Sequence, residues 1–398
     1  MNILLISHFF PPHKGGVETA SYNTAKKLTE MNHKVVVLTS KCEGATQKFQ
    51  RSEGFLIYRF RSFYPSEIKI LPQVSSLGFM PMAIIKLPKI IRKHRIQLIH
   101  VEGRLFPISV ISALLNRIIF KKPFVVSVQG RLEVGLTGEI ENIFDKIITR
   151  HVYKKVKKII CVSESLRERL INFKISKDLL TVIPNGVDIS VFNRIESSKM
   201  LDQYLNNKEN YKKIVFVGRL DTQKGVEYLI KAIPQVIQKF DKVHFFILGN
   251  GNLEAELKRL TKSLKIQSYT TFIDMIPLEK MPEFYSSADI FCLPSLHEGF
   301  PLSIAEALSI GLIIVASATE GIPEAIIENE NGFLVEPKNV NQLTEKLLKA
   351  LKLNQEEIER MSKNNIELAK NTYSWKILVK QIEDVYKSNK KILIRKKL

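Results

Sequence analysis

Short runs rich in Ile, Val and Phe alternate with longer amphipathic stretches along this chain, and the alternation runs through twice. A strand written as an unbroken apolar run must be covered on both faces, and helices between such strands supply the cover. The pattern is therefore the mark of βαβ units and a parallel sheet. In the first half the runs are NILLIS, KVVVLTS, LIHVEG, PFVVSVQG and KIICVS, with helical spacing between them, as in GVETASYNTAKKLTEM at 16–31. In the second half they are KIVFVGRL, KVHFFILGNG, TTFIDMI, ADIFCLPS, LIIVASA and GFLVEP, separated by helices such as VEYLIKAIPQVIQKF at 226–240. The expected fold is α/β, with two tandem Rossmann-like, doubly wound parallel sheets. A chain of 398 residues is also longer than one core usually supports, so two domains of about 180 residues follow from size alone.

The expected domains are 1–190, 191–373 and a C-terminal segment, 374–398, whose helix SWKILVKQIEDVYKS returns to the first domain ahead of a basic tail. TVIPNGVDISVF at 181–192 closes the first domain with a Pro-Asn-Gly turn, and 197–213 reads as a linker or short insertion. Two such sheets put the carboxyl ends of their strands across a shared cleft, where open α/β sheets bind ligands.

The net charge of +20 is unevenly spread. Residues 1–190 hold 30 basic and 14 acidic side chains, residues 191–386 hold 24 and 26, and the tail from Lys387 holds six basic and none acidic. An anionic partner is implied for the first domain and the tail. FMPMAIIKLPKIIRKHRI at 79–96 mixes apolar residues with Lys86, Lys89, Arg92, Lys93 and Arg95, as a surface helix pair broken at Pro88 would, and suggests an anionic membrane surface. The three cysteines, Cys42, Cys161 and Cys292, form no close pair, which favours a reducing cytosol over a disulfide framework or zinc site. The opening MNILLISHFFPP reads as a first strand and not as a signal peptide, and the longest apolar stretch, 105–115, is too short to span a bilayer.

Chemistry is concentrated in PSLHEGFPLSIAEALSIG at 294–311. After the apolar strand ADIFCLPS comes a turn in which Gly299 is free to take positive φ, and Pro301 suits a first helical position because its missing N–H would go unpaired there. The N–H groups of Phe300, Leu302 and Ser303 then lack intrahelical partners and, with the helix dipole, form a site for a phosphate or diphosphate. Glu306 in the second turn fits a ribose diol, and Glu298 ahead of the turn fits a sugar hydroxyl, because a carboxylate accepts paired hydrogen bonds. Upstream, KIVFVGRLDTQKGVEYL places Arg219 and Lys224 in a loop between Gly218 and Gly225, where a guanidinium fork and a compact ammonium could neutralise a departing diphosphate. Gly15 and Gly16, before a helix starting near Val17, allow a second close backbone approach. ILGNGN at 247–252 indicates close backbone approach and no more.

Together, GGVE at 15–18, VIPNGVD at 182–188, GRL and QKG within 218–225, and EGFPLSIAEA at 298–307 resemble the retaining glycosyltransferases of family four, which have the GT-B fold. The resemblance runs in order over nearly the whole chain. It implies a nucleotide-sugar donor held mainly by the second domain and a glycan or lipid-linked acceptor held by the first. It implies that Arg219 and Lys224 hold the diphosphate, Glu306 the ribose and Glu298 the donor sugar, helped by the amides of residues 299–303. Gly15 and Gly16 would close the site from the other domain, and the backbone near Asp274–Ile276 would face the base. Many members carry a His where VVSVQG places Gln129; Gln can donate to a sugar hydroxyl but cannot take up a proton.

The expected reaction is hexosyl transfer with retention, driven by stabilisation of the leaving diphosphate and without a covalent nucleophile. No Asp-x-Asp occurs, and two cations are available for the diphosphate, so neither a metal nor another cofactor is called for. The expected location is cytoplasmic, peripheral on the membrane. Two other readings fit parts of the pattern. A nucleotide-sugar epimerase would use the same donor, and a nucleic-acid-binding protein would use the charge, although no recognition motif is present and nucleic acid is not the expected partner.

Overall fold

The structure, a computed structural model, describes residues 1–13, 15–42, 44, 47–64, 78–130, 138–205 and 210–388. The chain divides into two units, one made of Met1–Pro184 with the chain from Trp375 onward, the other of Asn185–Ser374.

The first unit runs β1 (Asn2–Ser7), α1 (Gly16–Glu30), β2 (Lys34–Ser40), β3 (Phe49–Ser52), β4 (Phe55–Phe60), α2 (Pro81–Lys93), β5 (Leu98–Glu102), α3 (Pro107–Leu115), β6 (Phe124–Val128), α4 (Gly138–Tyr153), β7 (Lys158–Cys161), α5 (Glu164–Asn172) and β8 (Leu180–Val182). Its sheet has the order β3-β4-β2-β1-β5-β6-β7-β8, parallel throughout except for the β3–β4 edge. Residues of β5 and β6 are buried without exception, as strands covered on both faces must be. The strand order reverses between β1 and β5, which pair in register with Leu5 opposite His100.

Three strands absent from the sequence reading appear here. β3 and β4 form a hairpin whose two-residue loop, Glu53-Gly54, has φ of 47° and 82°, the paired positive values that suit the strand twist. The third, β8, is three residues long. Residues 81–93 are also one helix, α2, and not a pair broken at Pro88: burial of Ala83, Leu87, Ile90 and Ile91 keeps it on the sheet through the missing N–H.

The second unit runs β9 (Lys212–Val217), α6 (Val226–Lys239), β10 (Val243–Leu248), α7 (Glu254–Ser263), β11 (Thr270–Ile273), α8 (Met281–Ser286), β12 (Ile290–Leu293), α9 (Leu302–Ile310), β13 (Ile313–Ser317), β14 (Gly332–Val335), α10 (Val340–Leu351) and α11 (Gln355–Asn371). All six strands are parallel, in the order β11-β10-β9-β12-β13-β14. The order turns back between β9 and β12, which pair through Ile214 with Ile290 and Val215 with Phe291. The described part of the supposed linker is packed against this unit: Leu201 and Leu205 are buried, and Ser198 Oγ donates to Glu283 O at 2.8 Å.

The last helix, α12 (Trp375–Lys387), lies on the first sheet. Trp375, Leu378, Val379 and Ile382 join the core of Ile3, Leu5, Val35 and Val125. His33 Nε2 and Glu383 Oε1 lie 2.9 Å apart, and Tyr386 Oη reaches His100 Nδ1 at 2.6 Å. Among the described residues no helix is long and apolar enough to cross a membrane.

Candidate active site

The loops after β9 and β12 leave neighbouring strands at the reversal of strand order in the second unit, the place where doubly wound sheets bind ligands. They are fastened to one another. Leu296 N donates to Gln223 O at 2.7 Å, and Gln223 Nε2 donates to His297 O at 2.9 Å. Gly225 explains the tightness: its φ is 61°, and a Cβ on it would stand 2.1 Å from Pro294 O. The left-handed glycine that shapes this site is therefore Gly225, while Gly299 is not among the residues with positive φ.

Lys224 and Glu298, 74 residues apart, meet as an ion pair through Lys224 Nζ and Glu298 Oε1. The same carboxylate oxygen accepts from Ser295 Oγ at 2.9 Å. Glu298 is 6 % exposed. Arg219 is the opposite case: its side chain is 62 % exposed, with NH2 3.1 Å from Asp221 Oδ2 and 3.2 Å from Gln223 Oε1. The loop thus holds one fixed ammonium and one guanidinium at the surface. Gly218 N bonds to Leu248 O and Leu220 N to Asn250 O, so the GNG turn after β10 supports the Arg219 loop; a Cβ on Gly249 would lie 1.9 Å from Gly218 O.

α9 begins at Leu302, and Pro301 is its N-cap with an extended backbone, not its first helical residue. No side chain caps this end, which leaves the first-turn amides of Leu302 and Ser303 directed out of the helix. Asn185 Nδ2 donates to Phe300 O at 3.1 Å and so fixes the turn before them. Glu306 is half-buried, and one of its oxygens accepts from Tyr285 Oη at 2.8 Å. Burial pushes its carboxyl up to about 7, against the lowering effect of that hydrogen bond. Asp274–Ile276 follow β11, with Asp274 and Met275 exposed.

In the first unit, Gly15 is the N-cap of α1 in extended backbone and Gly16 its first residue. Glu18 folds back beneath them, so that a Cβ on Gly15 would stand 2.4 Å from Glu18 Oε2, and Glu18 Oε1 lies 2.6 Å from His13 Nδ1. Gln129 follows β6, and its Nε2 donates at 2.8 Å to Glu102 Oε2, at the end of β5. That amide nitrogen is partly committed within the protein, and the Gln129 Oε1 acceptor is buried without a hydrogen-bond partner among the described residues. Burial raises the Glu102 carboxyl to about 7.

Arg219, Lys224, Glu298, Gly299, Phe300, Leu302, Ser303 and Glu306 therefore all sit on one pair of cross-tied loops and the helix that follows, while Gly15 and Gly16 belong to the other unit. Sequence reading missed Ser295, Tyr285, Asn185 and Glu102. Asn185 carried a signal, since it stands in the quoted VIPNGVD. Nothing in EFYSSAD marks the Tyr285 hydroxyl as the partner of Glu306.

Two doubly wound sheets, with cationic and helix-start loops at the reversal of strand order in one of them, have the layout in which α/β folds bind ligands, and the loops have the chemistry that suits an anion. Two family models match the chain, Glycosyltransferase Family 4 over residues 14–191 and Glycosyl transferases group 1 over residues 198–368. The chain belongs to the group 1 glycosyltransferases of GT-B fold. It is 26% identical over 392 residues to the Phosphatidylinositol N-acetylglucosaminyltransferase GPI3 subunit of Saccharomyces cerevisiae, covering 97% of this chain and 82% of the relative. An uncharacterized glycosyltransferase of Methanocaldococcus jannaschii is 26% identical over 398 residues, covering 97% and 98% of the two chains. Among solved structures, sucrose-phosphate synthase from Thermosynechococcus elongatus superposes with a TM-score of 0.80 at 20% identity, over 97% of this chain and 98% of that one. Anabaena HepE in complex with UDP and glucose superposes with a TM-score of 0.79 at 19% identity, over 97% and 99%. Neither the epimerase nor the nucleic-acid reading gains support from these matches.

Proposed function

We propose that the chain is a retaining glycosyltransferase that moves a hexosyl group, N-acetylhexosaminyl included, from a nucleoside diphosphate sugar to an acceptor hydroxyl on a glycan or lipid-linked glycan. The observation that carries this reading is the pairing of Lys224 with Glu298 across two loops that also present Arg219 and the open start of α9. The UDP in the HepE structure supports the donor class, and the name of the yeast relative supports an amino sugar and a lipid acceptor.

In the proposed mechanism the bond from the anomeric carbon to the diphosphate oxygen breaks and the electron pair leaves with the diphosphate. Lys224, Arg219 and the amides of Leu302 and Ser303 stabilise that charge, which is the largest single contribution such a site can make. The acceptor oxygen bonds to the same face of the anomeric carbon, and its proton passes to the leaving phosphate. Glu298 sets the position of the Lys224 ammonium and keeps its second oxygen for a sugar hydroxyl. Glu306 accepts from the ribose diol. Lys224, Arg219 and the helix start are the groups assigned to the diphosphate, and no metal or cofactor is assigned. Residues near Asp274 face the base, the acceptor is assigned to the first unit, and the protein works in the cytoplasm.

Incubation with UDP-, GDP- and ADP-sugars, followed by NMR of the anomeric coupling in the product, tests the reading. One donor is expected to turn over with its configuration kept. An inverted product would remove retention, and an altered sugar formed without acceptor would indicate an epimerase.

The Glu306 carboxyl adds a pH dependence. Its ionised form accepts both ribose hydroxyls, so nucleoside diphosphate affinity is expected to rise as pH increases through about 7, and Glu306→Gln is expected to flatten the profile. The stability sign is opposite. A carboxyl raised from its ordinary 4.5 to about 7 favours the folded state when protonated, and that contribution is lost as pH climbs through about 7. Calorimetric titrations at several pH values check the first statement and thermal melts without nucleotide the second.

A further inference from the structure

The first unit carries a feature at the end of its sheet remote from Gly15 and Gln129. α3 continues into a π-helical turn, Asn116–Phe120, which stops at Lys121 with a left-handed backbone, φ 51°. Asn116 is buried and locks this turn with both ends of its amide. Its Nδ2 donates to Lys122 O at 2.9 Å, and its Oδ1 accepts from Lys122 N at 3.0 Å. Wide helical turns of this kind are rare and concentrate at functional positions. This one holds Ile118 and Ile119 at the surface, 71 % and 59 % exposed.

α2 lies alongside α3. Its outward face bears Met82 and Ile85 in the first turns and Lys86, Lys89 and Arg92 after them, at the spacing of one helical face. Next to the turn is a hollow of about 460 Å³ with walls that include Ile91, Ile119 and Phe120 and with Arg92, Arg95 and Lys122 around it. The residues from Phe79 to Gln97 and from Phe106 to Lys122 contain eight Lys or Arg and no Asp or Glu. Since α2 leads into β5 and the turn leads into β6, the hollow lies by the amino ends of those strands, at the end of the sheet opposite Gln129, and it shares no residue with the loops after β9 and β12.

An exposed apolar knuckle, an apolar hollow and a group of cations on two segments that carry no acidic residue match the layered chemistry of one occupant, an anionic phospholipid leaflet. We propose that this face of the first unit docks on an anionic bilayer, with Ile118 and Ile119 entering the acyl boundary. The hollow takes the start of an acyl chain while Arg92, Arg95 and Lys122 hold that lipid's phosphate. The inference does not depend on the transfer reaction.

Flotation of the full chain with phosphatidylcholine vesicles, with and without phosphatidylglycerol, at low and high salt, tests it. Binding is expected only with the anionic vesicles and is expected to weaken at high salt. Ile118→Ser with Ile119→Ser should lower partitioning by more than about 10-fold. Arg92→Gln, Arg95→Gln and Lys122→Gln together should do so as well. Ile327→Ser, at a 53 % exposed position of the second unit, should leave it unchanged. All these positions but Lys122 are exposed or on a surface face, so unchanged circular dichroism confirms that each variant is folded. Absence of binding by the parent chain, equal binding to neutral vesicles, or partitioning that survives the isoleucine variant would overturn the proposal.

Discussion

Alanine at both Arg219 and Lys224 is expected to lower glycosyl transfer by roughly 10³-fold or more, since one preorganised charge-stabilising donor is worth about 10²-fold or more on its own. The two side chains should differ in what else they cost. Arg219 is largely exposed and, among the described residues, tied to Asp221 and Gln223, so Arg219→Ala should reduce turnover with little change in stability. Lys224→Ala leaves a Glu298 carboxylate that is 6 % exposed with Ser295 Oγ and without its cation, and the broken pair should destabilise the fold by about 3 kcal/mol. Adding Glu298→Gln removes the stranded charge. Lys224→Ala with Glu298→Gln should therefore regain much of the lost stability and none of the activity. Recovery of both together in denaturation and turnover measurements would show that Lys224 serves the fold alone.

Asp145→Ala is expected to be among the most destabilising single changes in the first unit, at about 3–5 kcal/mol. Asp145 is fully buried and Arg104 is 3 % exposed. Arg104 Nε donates to Asp145 Oδ1 at 3.0 Å, its NH2 pairs with Oδ2, and NH1 donates to Gly130 O at 2.9 Å. Thr149 Oγ1 donates to the same carboxylate at 2.8 Å, and Arg169 NH2 lies 3.5 Å away. Removing the carboxylate strands a guanidinium in the interior, with a second one nearby. A well-packed apolar replacement of both partners, Arg104→Met with Asp145→Leu, should cost far less, because the desolvation of the pair disappears with it. Denaturant midpoints decide. Equal losses in the single and double replacements would mean that packing, and not the stranded charge, governs this site.

The alternation of apolar runs and amphipathic stretches specified two α/β sheets because coverage of a parallel sheet leaves little choice. The hairpin of β3 and β4 escaped notice because FQRS has no apolar alternation and Glu53-Gly54 is a weak turn signal, although both residues adopt positive φ. At the site, the charged residues of the GRL, QKG and EGFPLSIAEA stretches were legible as candidates, because phosphate and diol chemistry would call for their types. Their mutual bonds were not. The meeting of Lys224 with Glu298 spans 74 residues and depends on strand order, which no local pattern encodes. Pro301 illustrates the same limit at short range: a proline before a helix reads as a first helical residue, yet its ψ of 126° makes it the cap. Gln129 was legible as an amide, but its commitment to Glu102 follows from the adjacency of β5 and β6.

The central claim is that the loops after β9 and β12 hold a nucleoside diphosphate. Calorimetric titration of the chain with UDP, GDP and ADP, repeated on Arg219→Ala with Lys224→Ala, measures this without the acceptor. At least one diphosphate should bind the parent chain, and its affinity should fall by about 100-fold in the variant, the loss expected for two charge-assisted hydrogen bonds. Equal affinity in both proteins, or no binding of any diphosphate to the parent chain, would contradict the account.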